Sequence, residues 1–168
     1  MTDLLAAQAG IMDLHSRYTD AVWRKDAAAF AACFTPNGEW RISGRVLRGR
    51  EEISEGIAAI LSRFVRVLIT FRTPILAVGQ GAASGRTYID ERCAWADGKV
   101  NINIGRYYEH FAEQDGHWLF DWRLFELHYR GPPDMTGTFF DHADYGPPPA
   151  MPPRDAATRD MSEGNHGG

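Results

Sequence analysis

The sequence predicts an α+β domain in which three N-terminal helices pack on one face of a curved antiparallel or mixed sheet. Apolar residues recur at helical spacing within residues 2–64, whereas residues 65–129 are rich in β-branched and aromatic side chains. The 44% hydrophobic and 12% aromatic content favours a packed core, and 168 residues suit one domain with a tail. We place the domain in residues 1–130 and the tail in residues 131–168.

Three segments have the pattern of amphipathic helices. The first covers residues 2–24 and carries its apolar side chains on one face, at Leu4, Ile11, Leu14, Tyr18 and Val22. Asp26 can cap a short second helix over residues 27–34, which a Pro-Asn-Gly turn sequence would end. A third helix over residues 51–64 has its own apolar stripe, formed by Ile53, Ile57, Ile60, Leu61 and Phe64.

Strands account for the rest of the domain. A hairpin over residues 39–43 and 45–47 turns at Gly44. After the third helix, turn sequences such as Asp97-Gly98 and Asp115-Gly116 offer residues able to adopt a positive φ. They separate four long strands, over residues 65–78, 84–96, 99–112 and 117–130.

The tail differs sharply in composition from the domain. Seven prolines lie between residues 132 and 153, and they preclude regular elements. Three aromatic residues are expected to fold back over the mouth of a pocket: Phe139, Phe140 and Tyr145. The last dozen residues are expected to be disordered.

Charge and cysteine content argue against several classes of function. A formal net charge of -4 and a pI near 5.8 do not suit binding to nucleic acid or to an anionic membrane. The arginines within residues 41–50 are interpreted as a solvated face. No stretch is long enough to span a bilayer, and residues 1–10 do not have the pattern of a secretory signal. Cys33 and Cys93 fit small buried residues in a reducing compartment, so we expect a cytoplasmic protein.

No motif in the sequence indicates a cofactor. The six histidines lack the spacing of a metal site. A glycine-rich phosphate loop, a nucleophile elbow and a Cys-X-X-Cys pair are all missing from the sequence. We therefore expect chemistry without a metal or a cofactor.

Glu91 is the carboxylate with the most unusual predicted surroundings. Alternation along the strand over residues 84–96 places it in an apolar row that should face the helices, with Thr87, Ile89, Cys93 and Trp95. A carboxylate in such a place tends to have a raised pKa, which suits a general base or acid. The structural alternatives are an internal salt bridge to Arg72 or Arg106, or a different register.

Other polar residues could share this site. Tyr18 lies near the end of an apolar helical stripe, where its phenol either donates a hydrogen bond into a cavity or is satisfied within the core. Arg72 could anchor a phenolate or a carboxylate, or pair with Glu91, and its face of the strand is shared by Arg66, Leu68 and Thr70. Asp121 and Arg123 form a second possible buried pair, for which we expect a salt bridge.

Several short segments resemble, in order and spacing, the SnoaL-like branch of the nuclear transport factor two superfamily. They are residues 11–18 (IMDLHSRY), 34–40 (FTPNGEW), Gly49, Thr73-Pro74, 105–107 and 115–118 (DGHW). The resemblance covers residues 5–130. It implies a cone-shaped barrel that encloses a pocket, cofactor-free acid–base chemistry on a small molecule, and a homodimer or homotrimer formed through the outer face of the sheet around Tyr88.

The resemblance also implies roles for individual residues. Tyr18 matches the helix tyrosine of ketosteroid isomerases and bile-acid dehydratases, and Glu91 falls where the latter carry a catalytic aspartate. Tyr107 lies near the second acid of the isomerases' oxyanion hole. Three family positions differ in this chain, which has no dehydratase histidine in residues 69–72, Ile42 at the isomerase base position and Trp23 at the dehydrochlorinase aspartate position.

Together these features predict a cofactor-independent lyase. It would eliminate water, or a small carbonyl fragment such as formaldehyde, from a hydroxylated aromatic or polycyclic molecule. Glu91 would move the proton, Tyr18 would donate to the reacting oxygen, and Arg72 would hold a substrate oxygen. The residues expected to contact the substrate are Trp23, Trp40, Thr70, Trp95, Tyr107 and Phe125. The alternatives are an isomerase or cyclase, and a small-ligand-binding module without activity.

Overall fold

The computed structural model describes residues 3–161 and confirms the predicted α+β fold. The helices are α1 (Leu4–Arg24), α2 (Ala27–Ala32) and α3 (Gly49–Leu61). The strands are β1 (Phe34–Ile42), β2 (Arg45–Arg48), β3 (Phe64–Phe71), β4 (Ile75–Val78), β5 (Ala82–Trp95), β6 (Val100–Gln114), β7 (His117–Gly131) and β8 (Thr138–Phe139).

The strands form one mixed sheet. Its main path is β2-β1-β7-β6-β5-β3, with β4 beside β5 and β8 beside β7. Neighbouring strands are antiparallel except β1 and β7, which are parallel. The sheet curves around the three helices but does not close, because β2 and β3 leave two edges.

The second helix begins at its predicted cap, and the second and third helices end earlier than predicted. The side chains of Asp3 and Asp26 each accept a first-turn backbone N–H, at 3.1 and 2.9 Å. The second helix ends at Ala32, because β1 begins at Phe34 and includes residues 35–38, for which the sequence indicated a turn. The third helix ends at Leu61.

Two hairpins turn through pairs of residues with positive φ. Ser43 and Gly44, with φ of 50° and 74°, connect β1 to β2. Asp115 and Gly116, with φ of 51° and 77°, connect β6 to β7. Positive φ at both central residues gives a type I′ turn, whose twist matches that of the flanking strands. The predicted hairpins at these two positions are therefore confirmed.

The strand expected over residues 65–78 is divided in two. β3 ends at Phe71 and β4 begins at Ile75. Pro74 lies between them and has no N–H to donate to the ladder. Both pieces nevertheless pair with β5, so this edge of the sheet follows a single neighbouring strand.

β7 contains two residues that have no partner on β6. The register shifts once between the His110 and Phe111 pairs, leaving Asp121 unpaired, and again near Gly105, leaving His128 unpaired. Each bulge reverses the alternation of side chains along β7. As a result the side chains that face the helices include Phe120, Arg123, Phe125, Leu127 and Arg130.

The tail crosses the outer face of the sheet. Its apolar side chains pack on a small outer cluster formed by Tyr108, Trp122 and Leu124, and they come from Tyr145, Met151 and Ala156. Farther along, Thr158 accepts a hydrogen bond from Gly44 N at 2.8 Å, and the backbone of Met161 donates to Ser43 Oγ at 3.0 Å. The described part of the tail therefore reaches the β1–β2 turn.

The aromatic residues of the tail do not lie where they were expected. Tyr145 packs edge-on against Tyr108 on the outer face, and Phe139 lies 4.9 Å from the Tyr129 ring. Neither these two nor Phe140 lines the cavity, which corrects the prediction. The physical reason is that the sheet already presents aromatic partners along the path of the tail. Residues 162–168, where most of the expected disorder falls, lie outside the described residues.

Two further expectations concern the surroundings of the molecule. The outer face that was expected to mediate a homodimer or homotrimer is partly covered by the tail, although Tyr88 remains 42% exposed. That oligomer stays a prediction. Within residues 3–161, no helix combines the length and the hydrophobicity needed to cross a membrane.

Candidate active site

A cavity of about 170 Å³ lies between the helices and the concave face of the sheet. Most of its wall is apolar, with side chains from α1, α3, β1, β3, β5 and β7. The polar groups that reach its interior are few, and they include Glu91, Asn103, Tyr18 and Tyr107. Few polar groups in an apolar concavity are typical of a small-molecule site.

Glu91 lines this cavity from β5, as the alternation of the strand predicted. Its Oε2 accepts a hydrogen bond from Asn103 Nδ2 at 2.9 Å. No hydrogen bond from residues 3–161 reaches the other oxygen, and no arginine within that range pairs with the carboxylate. Burial raises the pKa of Glu91, although the amide of Asn103 and the charge of Arg130 oppose this effect. The carboxyl group can therefore exchange a proton nearer to neutral pH than an ordinary glutamate.

Asn103 on β6 orients Glu91 and is itself held from two sides. Its Oδ1 accepts hydrogen bonds from Arg130 Nε at 3.0 Å and from Asn101 Nδ2 at 2.9 Å. Asn101 in turn accepts a bond from the indole of Trp95. With its carbonyl committed to these donors, the amide of Asn103 can only present N–H groups to Glu91.

Two phenols face the same cavity. The hydroxyls of Tyr18 and Tyr107 lie 3.2 Å apart, and either can donate to the other. Burial raises the pKa of both groups, to well above the ordinary value for Tyr18, and the charge of Glu91 raises them further. Both phenols therefore stay protonated and can act as hydrogen-bond donors.

A buried ion pair supports the two tyrosines. The guanidinium carbon of Arg123 lies 3.5 Å from the ring centre of Tyr107 and 4.5 Å from that of Tyr18. Arg123 Nε donates to Glu109 at 2.9 Å, and Glu109 also contacts His15 at 3.3 Å. Although burial alone would raise the pKa of Glu109, the charges of His15 and Arg123 lower it to about 2. Glu109 is thus a permanent anion that fixes Arg123 beneath the phenols.

The structure brings six of the nine predicted site residues to the cavity: Tyr18, Trp40, Glu91, Trp95, Tyr107 and Phe125. Phe125 approaches closely because β6 has a glycine diagonally across from it: a Cβ on Gly105 would lie 2.4 Å from the Phe125 ring. Glycine at that position is therefore a packing requirement.

The other three predicted residues lie outside the cavity. Arg72 is exposed and pairs with Asp90 at 2.8 Å, while Thr70 and Trp23 border a surface groove between α1 and β3. The prediction that these three share the cavity with Glu91 is corrected by this placement. Alternation explains it, because β3 turns Val67 and Ile69 inward and so turns its even-numbered residues outward.

The expected pair of Asp121 and Arg123 is also wrong. Asp121 is the unpaired residue of a β7 bulge and bonds to Thr35 and Arg154, whereas Arg123 faces the core. The Arg106 alternative for Glu91 is likewise wrong, since Arg106 pairs with Glu126 at 2.7 Å on the outer face.

Sequence reasoning missed Asn103, Glu109 and Arg130. The first two could have been found, because β6 alternates without interruption and both are in phase with Tyr107. Arg130 could not, since its inward direction depends on the bulge at His128.

The two cysteine thiols are unreactive, and the described part of the chain has no metal site. Cys33 and Cys93 are free and buried, and burial raises their pKa to about 11 and about 12. Across residues 3–161, no cluster of three or more His, Cys, Asp and Glu side chains is arranged to hold a metal ion.

Comparison with known proteins gives both a family and similar structures. The model of the SnoaL-like domain matches residues 3–123. Rv3472 from Mycobacterium tuberculosis, a protein of unknown function, is 28% identical over 71% of this chain and 70% of its own, with a TM-score of 0.65. No curated protein matches the chain.

Two proteins that are named as enzymes share the fold at lower sequence identity. A candidate scytalone dehydratase from Novosphingobium aromaticivorans is 16% identical, with a TM-score of 0.72 and coverage of 83% of this chain and 97% of its own. The hexachlorocyclohexane dehydrochlorinase LinA-type3 from Novosphingobium barchaimii is 19% identical, with a TM-score of 0.69 and the same coverages. Because the family model covers most of the sequence, the chain belongs to the family of SnoaL-like domains.

Proposed function

We propose that this chain is a cofactor-independent lyase that eliminates water, or a small carbonyl fragment, from a hydroxylated aromatic molecule by acid–base chemistry. Glu91 is the observation that carries the proposal: one oxygen is held by Asn103, and the other receives no hydrogen bond from residues 3–161. Membership in the SnoaL-like family supports it, as does a fold shared with two proteins whose names denote eliminations.

Glu91 carries the proton in either reaction. For loss of water, ionised Glu91 accepts a proton from carbon, the carbon–oxygen bond breaks, and Glu91 returns the proton to the leaving oxygen. For loss of a carbonyl fragment, Glu91 accepts the proton of the hydroxyl group, the carbon–carbon bond breaks, and the proton returns to carbon. Tyr18 and Tyr107 donate hydrogen bonds to the oxygen on which negative charge develops. Neither route needs a further reactant.

The size of the cavity favours a substrate with one ring. A cavity of about 150 Å³ lined by apolar side chains accepts benzene, and the cavity here has about 170 Å³. We therefore favour a monocyclic aromatic substrate over the polycyclic one that the sequence also allowed.

A panel of single-ring aromatic alcohols, followed by mass spectrometry, tests this function. The wild type should release water or a carbonyl fragment from at least one compound. We expect Glu91→Gln to lower turnover by about 10²- to 10⁴-fold, the contribution of a positioned acid or base. Tyr18→Phe should cause a smaller loss, since Tyr107 remains. Asp90→Asn is the matched control, because Asp90 is the adjacent carboxylate on the outer side of the same strand.

Each other outcome has a distinct meaning. Unchanged turnover in Glu91→Gln contradicts the assigned base. A product with the mass of the substrate indicates an isomerase or cyclase, and binding without any product indicates a small-ligand-binding module.

A further inference from the structure

Arginine side chains line the cavity toward its mouth. Arg63 follows α3, Arg130 is on β7, and Arg159 comes from the tail. Arg130 uses its Nε to hold Asn103, and the guanidinium of Arg63 lies 5.3 Å from the ring centre of Trp95. Arg159 donates to the carbonyl of Asp141 at 3.3 Å.

Within the described range these guanidinium groups, like that of the buried Arg86, have no carboxylate partner. Arg41, Arg106 and Arg123 each form an ion pair with a glutamate. None of the ion pairs between residues 3–161 includes Arg63 or Arg130. The carboxylate that shares their cavity, Glu91, is held by an amide instead.

Two positive charges beside an apolar cavity produce a positive electrostatic potential, which favours the binding of an anion. Burial lowers the pKa of Arg130, the charges of Cys93 and Glu91 raise it, and the charge of Arg63 lowers it, so the two cations repel each other. Low-dielectric walls concentrate such a field in the cavity. Guanidinium groups also bind carboxylates through paired hydrogen bonds.

We propose that the substrate carries a carboxylate, which binds to Arg63 and Arg130 while its aromatic ring occupies the apolar interior beside Glu91. This inference rests on the proposed function because it concerns the same cavity. It narrows the substrate class to hydroxylated aromatic acids with one ring. The two arginines would also select against neutral alcohols of the same shape, since such molecules would leave the two cations unpaired.

Binding of phenylacetate and phenylacetamide, measured by isothermal titration calorimetry, tests this proposal without any turnover. The two probes have similar shape but differ in charge. We expect phenylacetate to bind at least about tenfold more tightly, as for a hydrogen bond between charged groups. Arg63→Gln and Arg130→Gln should each reduce that preference, and added salt should weaken phenylacetate more than the amide.

Arg66→Gln is the matched control, because Arg66 is exposed on the outer side of β3, over Trp23, and does not line the cavity. It should bind both probes as the wild type does. If Arg130→Gln fails to fold, Arg63→Gln decides, since Arg63 is exposed at the surface.

Equal binding of the two probes, no binding of either, or an unchanged preference in Arg63→Gln would overturn the proposal. Failure of the proposed function is distinguishable from these results. In that case the acid is still preferred, but no substituted aromatic acid is converted.

Discussion

The two buried glutamates of the core show how the same side chain acquires opposite properties. Glu109 contacts Arg123 and His15, and its pKa falls to about 2. Glu91 receives one bond from a neutral amide, and burial raises its pKa. Partners therefore decide the outcome more than burial does. Glu109 stays charged and structural, whereas Glu91 keeps its proton to a higher pH than an ordinary glutamate.

The raised pKa of Glu91 predicts a pH-dependent change in stability. The folded chain holds this proton to a higher pH than the unfolded chain, so stability falls as pH rises through the folded-state pKa. Glu91→Gln cannot ionise and avoids that loss. We expect the free energy of unfolding of the wild type to fall relative to that of Glu91→Gln as pH rises above the ordinary glutamate pKa, in urea titrations at several pH values.

A stability difference between Glu91→Gln and the wild type that does not change with pH would contradict a raised pKa at Glu91.

At the scale of the element, the bulges of β7 decide which side chains face the cavity. The unpaired His128 allows both Leu127 and Arg130 to line it, although regular alternation would separate them. Deleting His128 should remove the bulge and leave Leu127 and Arg130 two residues apart, so that both still face the cavity. We expect the deletion variant to keep the preference for phenylacetate over phenylacetamide that Arg130→Gln reduces. Calorimetry measures the affinity, and circular dichroism checks that the sheet is retained.

His128→Ala keeps the bulge and serves as the control for this deletion. It should bind phenylacetate about as tightly as the deletion variant does. Loss of the preference for phenylacetate in the deletion variant alone would contradict this account of the bulge.

The strands and helices also show which side-chain positions can be predicted from the sequence. Regular alternation on β5 was enough to place Glu91 in the cavity, and helical spacing placed Tyr18. The same alternation on β3 should have excluded Arg72, since its apolar residues must face inward. The bulges at Asp121 and His128 do not alter the hydrophobic pattern of the sequence. The partners of Arg123 and the direction of Arg130 could therefore not be predicted from it. The path of the tail depends on contacts between distant residues.

At the scale of the whole molecule, the tail substitutes for a partner on the outer face of the sheet. Tyr108, Trp122 and Leu124 are at most 1% exposed because the tail covers them. A chain truncated after Gly131 should expose this cluster. We expect it to self-associate into larger species than the full chain and to bind a hydrophobic dye, as an exposed apolar patch does. Size-exclusion chromatography with light scattering measures the first effect.

A chain truncated after Met161 retains every described contact of the tail and is the matched control. It should behave as the full chain does. Identical mass and dye binding in both truncated chains would show that the tail does not protect the outer face.

The residues that line the cavity come from two different parts of the sequence. The groups proposed to move protons, Tyr18, Glu91 and Tyr107, all lie within the segment that matches the family. The mouth includes Arg130, His142 and Arg159, which come after that segment. Of the two arginines proposed to select the substrate, Arg63 lies inside the family segment and Arg130 lies after it. Exchanging the end of β7 together with the tail should therefore change the charge of the substrate that binds, while the proposed reacting groups stay in place.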